Sequence, residues 1–320
     1  NTMSLPYVGR GGIIGLAAES TYGTAVARTN WLPLLPGSFI SKTMNRQPRE
    51  SLYTGARAPQ GFFLEGSTVR GTLNFEATYE NFGLVLKHVL GALNTSGTGP
   101  YDHAYSLGAV APLSLTGELI RGSAPNSEIY EGLQVSRATI SGRAGRIVQL
   151  RVDVVGETSQ TPASAGTPSI GSGHSPIHGT QAGTISFDSD TFEPIDFELT
   201  ISNNLVYPRR VMGSDVSKQA AARFSNVTLK VTREYDSETQ YTEFVTGATS
   251  QLLWSFTGSG NNVMRLTLHG AYATGESPRR LANDGPLTQQ ITYVSDNDGS
   301  GTYNGCTIRM SNDNASGVAN

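Results

Sequence analysis

The sequence predicts a mainly β chain, and three observations carry that expectation. Charged residues make up only 15% of the 320 positions. Val, Ile, Tyr, Phe and Thr fall in short runs between turn residues. Apolar and polar residues alternate at period two in several places, as half-buried strands require. A chain of this length can bury one large core or two ordinary ones without a disulfide or metal.

Taken in order, the first clear strand is Val69-Gly71-Leu73-Phe75. A helix is expected over 79–93, where Phe82, Val85, Leu86, Val89 and Leu90 have helical spacing before a stop at Gly91. Val148, Leu150, Val152 and Val154 alternate with Gln149, Arg151 and Asp153, the plainest strand in the chain. Strands follow at Ile195-Phe197-Leu199-Ile201, Val227-Leu229-Val231 and Met264-Leu266-Leu268, with a second helix expected over 236–245. At least eight strands are expected in all.

The two strand-helix segments align without a gap. Thr72-Leu73, Tyr79, Glu80, Val89 and Gly91-Ala92 match Thr228-Leu229, Tyr235, Asp236, Val245 and Gly247-Ala248, which reads as an internal duplication. The organisation expected is an N-terminal arm and first strand region over 1–30, a first repeat over 31–157 and a second over 184–320. Between the repeats, 158–183 is a run of Ser, Thr, Pro, Ala and Gly without a charge, expected to be a linker or surface loop. The stretch 41–67 reads as a long irregular loop. Its basic residues Lys42, Arg46, Arg49 and Arg57 outnumber Glu50 and Glu65, and it ends in Gly61-Phe62-Phe63-Leu64, an apolar tip that a partner surface would cover.

Composition excludes several function classes. A net charge of −3 argues against stable nucleic-acid binding, which draws its affinity from Lys and Arg. The single Cys306 excludes an internal disulfide framework and a CxxC metal knuckle, and fits a reducing compartment. Asn1 to Pro6 lacks the features of a signal peptide, and no apolar run reaches the roughly 20 residues of a membrane span. A soluble chain that is not classically secreted is therefore expected.

Candidate chemistry is sparse. His174 and His178 stand four apart, but Ser175-Pro176 between them forbids a regular helix, so no metal site is expected. Gly9-Arg10-Gly11-Gly12 lacks the preceding strand that a phosphate-cradling loop requires, and reads as part of a flexible arm. Asp196 and Glu198 share the polar face of one strand at about 6 to 7 Å. That spacing falls near the separation of inverting glycosidase carboxylates. However, Trp31 and Trp254 are the only tryptophans and neither lies near them in sequence. No cofactor and no catalysis are expected.

Gly15-Leu16-Ala17-Ala18-Glu19-Ser20-Thr21-Tyr22-Gly23-Thr24-Ala25-Val26, followed by Trp31-Leu32-Pro33, resembles the opening of the siphophage major tail tube protein family. The resemblance continues through Leu84 to Gly91, Thr98 to His103, Val152 to Gly156, Leu199 to Leu205 and Asn283 to Leu287. It implies antiparallel sheets packed as a β-sandwich beside a short helix, closing sideways into rings that stack as a barrel. Viral DNA would pass through the lumen without specific binding, and the tape measure, tail tip and tail terminator proteins would be partners. Rings of six single modules, the commoner arrangement, and rings of three duplicated chains are both implied. The family's reaching loop would fall on 41–67, with Lys42, Arg46, Arg49, Arg57, Phe62 and Phe63 at the joint. A lumen that passes a polyanion should be neutral or acidic, which makes Asp196, Glu198, Asp153 and Glu76 the wall candidates. The alternative from another class is a monomeric β-sandwich module that binds a receptor or carbohydrate.

Overall fold

The computed structural model describes residues 11–49, 61–108, 113–122, 127–162, 166–170, 175–188, 190–235, 238–276, 287–296 and 305–316. Strands β1 (Ile13–Ala18), β2 (Asn30–Pro33), β3 (Phe39–Pro48) and β4 (Phe62–Glu76) precede helix α1 (Gly83–Leu90). Strands β5 (Gly91–Ser96), β6 (Tyr101–Leu107), β7 (Leu115–Ile120), β8 (Ser127–Arg143), β9 (Gln149–Gly156) and β10 (Thr158–Gln160) follow. A 3-10 turn at Gly179–Gln181 leads into β11 (Ile185–Phe187), β12 (Asp190–Phe192), β13 (Pro194–Ser202) and β14 (Asn226–Glu234). After helix α2 (Thr239–Thr246) come β15 (Ser250–Thr257), β16 (Val263–Glu276), β17 (Thr288–Ser295) and β18 (Cys306–Asn312).

The alternating segments all become strands, and their pairing orders them. One antiparallel run of eight reads β3-β4-β9-β8-β13-β14-β17-β16. Its apolar side carries Leu73 and Phe75, Leu150 and Val152, Ala138 and Ile140, Leu199 and Ile201, and Leu229 and Val231, all buried. Side chains alternate across a strand, so the intervening polar residues share the opposite face.

Two long strands carry the chain from this run into others. After Gly270, whose φ of 55° suits a residue without a Cβ, β16 pairs with β17; before it, β16 pairs with β18 and with most of β15, whose Ser250 reaches past the glycine to Ala271. A second run thus reads β5-β6-β18-β16-β15-β11-β12. Strand β8 has a bulge between Val135 and Arg137. Before the bulge it pairs with β7 and β10, adding the group β2-β1-β7-β8-β10. The first two runs face each other: Phe197 of β13 packs edge to face on Trp254 of β15, ring centroids 4.5 Å apart at 87°. One continuous cluster from Ile14 to Met310 forms the core.

Both helices form, each shorter than expected, and their ends correspond. Gly83 matches Thr239 and Leu90 matches Thr246 under the same gap-free alignment, and each helix stops at a left-handed glycine, Gly91 or Gly247. The surroundings also repeat, since β3-β4-β9-β8 and β13-β14-β17-β16 have the same strand order, joined by β8 pairing with β13.

Two segments depart from expectation. Where it is described, the stretch 41–67 is not irregular: β3 and β4 stay paired out to Pro48 opposite Phe62. Its alternation was hidden because Arg, Gln and Asn fill both faces and three apolar residues stand in a row. The charge-free 158–183 stretch does contribute to the core, through Ile177, 1% exposed. The Ile177 amide bonds the Ala77 carbonyl at 2.7 Å, and its carbonyl accepts from the Val148 amide at 2.8 Å. A single isoleucine escapes a reading based on composition.

Candidate functional site

The polar face of the eight-strand run is the first candidate surface. Asp196 and Glu198 lie on β13, Asp153 on β9 and Glu76 on β4, and the alternation of each strand puts all four on the side away from the core. The same registers place bases among them. Glu198 Oε1 is 3.7 Å from Lys230 Nζ, and Asp153 Oδ1 is 3.5 Å from Arg151 Nε and accepts from Thr72 Oγ1 at 2.7 Å. Asp196 stands opposite Arg143, and Asp153 opposite Arg137. Thr139, Ser141, Thr200, Thr228 and Thr232 fill the places between. The face is hydroxyl-rich and its charges are interleaved.

The β3–β4 hairpin is the second surface. Phe62, Phe63 and Leu64 are 57%, 48% and 52% exposed. The Arg46 guanidinium lies 5.1 Å from the Phe62 ring centroid, a cation–π contact that leaves the rest of the ring open. Lys42 Nζ donates to Thr158 Oγ1 at 2.8 Å, which ties the hairpin's base to β10. The Arg49 amide bonds the Gly61 carbonyl at 3.0 Å. Arg57 lies outside the described residues, as do Glu50 and residues 1–10 of the N-terminal region.

A third surface was not foreseen. Between β13 and β14 the chain makes a second hairpin extension, with bridges from Val206 to Ala221 and from Arg209 to Lys218. It folds back over the first half. Tyr207 Oη accepts from the Val69 amide at 2.8 Å and donates to the Gly156 carbonyl at 2.7 Å. Arg210 Nη1 bonds the Glu65 carbonyl at 3.2 Å and pairs with the Glu65 carboxylate at 3.4 Å. The Ser67 amide reaches the Asp215 carbonyl at 3.0 Å. Gly66, at φ 128°, is needed there, because a Cβ would stand 2.6 Å from that oxygen. Its tip exposes Met212 and its base exposes Phe224, 102% and 96%. The duplication was the available signal, since it aligns this segment with the first hairpin.

Chemistry finds little footing. Among the described residues no cluster of three metal-ligating side chains occurs. Cys306 is fully buried, and burial pushes its thiol up to about 12, far from a thiolate at neutral pH. Trp31 and Trp254 are 4% and 3% exposed, so neither offers a platform to a sugar beside Asp196 and Glu198. No helix of the described residues is long and apolar enough to cross a membrane.

No curated protein matches the chain. A family profile described as phage tail tube protein matches residues 9–295, spanning both strand-helix units, the eight-strand run and both hairpins. The chain belongs to the phage tail tube protein family, as a structural subunit of the tube and hence a component of the virion.

Proposed function

We propose that copies of this chain associate side by side into rings, that the rings stack, and that the polar face of the eight-strand run lines the bore. The observation that carries this reading is a broad antiparallel sheet, apolar and packed on one side, hydroxyl-rich and charge-balanced on the other. A surface that interleaves carboxylates with guanidinium and ammonium groups has little net field, so viral DNA slides past without being gripped. Asp196, Glu198, Asp153 and Glu76 are wall residues in this account. The same bore holds the tape measure protein during assembly, and the tube's ends meet the tail tip and terminator proteins. The role is mechanical and non-enzymatic, and assembly takes place in the host cytoplasm.

Each chain contributes two equivalent four-strand sets, β3-β4-β9-β8 and β13-β14-β17-β16. That repetition supports a ring of three copies with six similar positions. An open sheet leaves two edges unpaired, and ring closure covers them. The β3–β4 hairpin, with Lys42, Arg46, Arg49, Arg57, Phe62 and Phe63, joins neighbours. Negative-stain microscopy of the purified chain at rising concentration or after seeding tests the reading. Rings or tubes are expected; a chain that stays monomeric under seeding and binds a glycan contradicts it.

A further inference from the structure

The internal repeat supplies a template for a contact between copies. Phe39 lies opposite Thr72 on the first hairpin, and Thr200 lies opposite Thr228 on the second. Farther out, Pro48 opposite Phe62 corresponds to Arg209 opposite Lys218. The two extensions therefore correspond at their roots and at their outer pairs, with Arg46 in the place of Tyr207 and Arg49 in the place of Arg210; the register shift falls earlier in the second, where Val206 meets Ala221 while Asn45 meets Gly66. Yet their surroundings differ. The second extension is seated on β4 of the first half through Tyr207, Arg210 and Asp215. On the first extension Phe62, Phe63 and Leu64 remain about half exposed.

We propose that the β3–β4 extension of one copy seats on the second half of another copy, by the contact the second extension makes within the chain. The proposal rests on the tube reading, which supplies the second copy as occupant. Within the chain the seat is formed by Glu65, Ser67 and Val69 at the root of β4. The matching positions at the root of β14 are Ala221, Arg223 and Ser225. Here Leu205, Val206, Tyr207, Arg223 and Phe224 line an open groove. Phe224 is 96% exposed and Val206 36% exposed, an apolar floor for the visiting Phe62, Phe63 and Leu64. Ala222 stands where Gly66 does and carries a Cβ.

The two patches are different surfaces of the chain, so the contact is head to tail. Such contacts repeat until a ring closes. The second extension already spans from β13 across β8 and β9 to β4 within the chain. Its counterpart spans the junction between copies in the same direction, locking the sheet edges that meet there.

The test uses the full chain and a short bismaleimide. Cys306 is fully buried, so the parent should not react. Phe63→Cys and Phe224→Cys are purified separately, checked for the parent's melting temperature, and mixed under conditions in which the parent forms rings or tubes. Cross-linked pairs of chains are expected in the mixture, at least tenfold above either variant alone, with a closed ladder from the double variant. Phe224→Asp should reduce the assembled fraction at least tenfold while melting like the parent. Rings or tubes seen by microscopy without the mixed cross-link overturn the docking and leave the tube reading standing. Cross-linking of Phe63→Cys to itself at the same yield also overturns it. Failure of parent and variants alike to assemble, even when seeded, removes the tube reading and the docking with it.

Discussion

Glu243 sits on α2 at 8% exposure, with Oε1 buried and no hydrogen-bond partner for that oxygen among the described residues. Burial, and then the carboxylates of Asp190 and Asp188, raise its pKa to about 7, against the opposing pull of Arg233. The sign follows from proton linkage. Between the ordinary carboxyl value near 4.5 and about 7 the folded chain holds a proton that the unfolded chain has released, so this group's contribution to stability declines as pH rises through that window. Glu243→Gln should remove the decline, and thermal melting from pH 4.5 to 8 should show the variant gaining on the parent toward neutral pH. An unchanged difference across the range would count against the buried proton. His88 works in the opposite direction. Its burial lowers the pKa to about 4, with Nδ1 2.8 Å from the Leu84 carbonyl. The unfolded chain therefore binds the extra proton below about 6.5, and stability falls as pH drops from there toward 4. At Gly66 the constraint is steric: Gly66→Ala should cost about 1–3 kcal/mol and loosen the second hairpin, read as faster amide exchange at Ser67.

The two helices show how equivalent elements diverge. Seven of the eight α1 residues are buried, Leu86 at 2%, whereas α2 exposes Val245 at 62% and Tyr241 at 44%. Leu86→Ala should cost about 2–5 kcal/mol in chemical denaturation, while Val245→Ala should leave stability within about 0.5 kcal/mol. Similar losses at both would mean that α2 is packed as α1 is. Helix positions were legible because Phe82, Val85, Leu86 and Val89 keep a helical period, and strands such as β9 and β13 because one face is apolar and the other polar. The outer part of the β3–β4 hairpin, 43–48 with 62–65, was not legible as strands, since it stands clear of the core and has no buried face to impose alternation. The second hairpin was missed because it is seated by hydrogen bonds rather than by an alternating apolar face, and with it Tyr207 and Arg210, whose partners on β4 lie more than a hundred residues away. Replacing 47–62 by a short turn should leave the melting temperature nearly unchanged while abolishing rings in the microscope. Loss of the folded chain would show that the hairpin belongs to the core.

At the scale of the molecule, pairing brings Glu76, Asp153, Asp196 and Glu198 onto one face, a placement that single-strand alternation could suggest only strand by strand. What sequence could not supply was the company they keep, because the cross-strand neighbours Lys230, Arg143 and Arg137 follow from register. Converting both Asp196 and Glu198 to Lys should spare tube formation and impair DNA delivery, since the bore would then attract the polyanion. Infectivity equal to the parent's would place that face away from DNA. The most direct measurement is a cryo-EM reconstruction of assembled tubes. The account predicts three copies per ring, with Asp153, Asp196, Glu198, Arg151 and Lys230 lining the bore. A tube whose bore is lined by another surface, with this face turned to the outside, would contradict it.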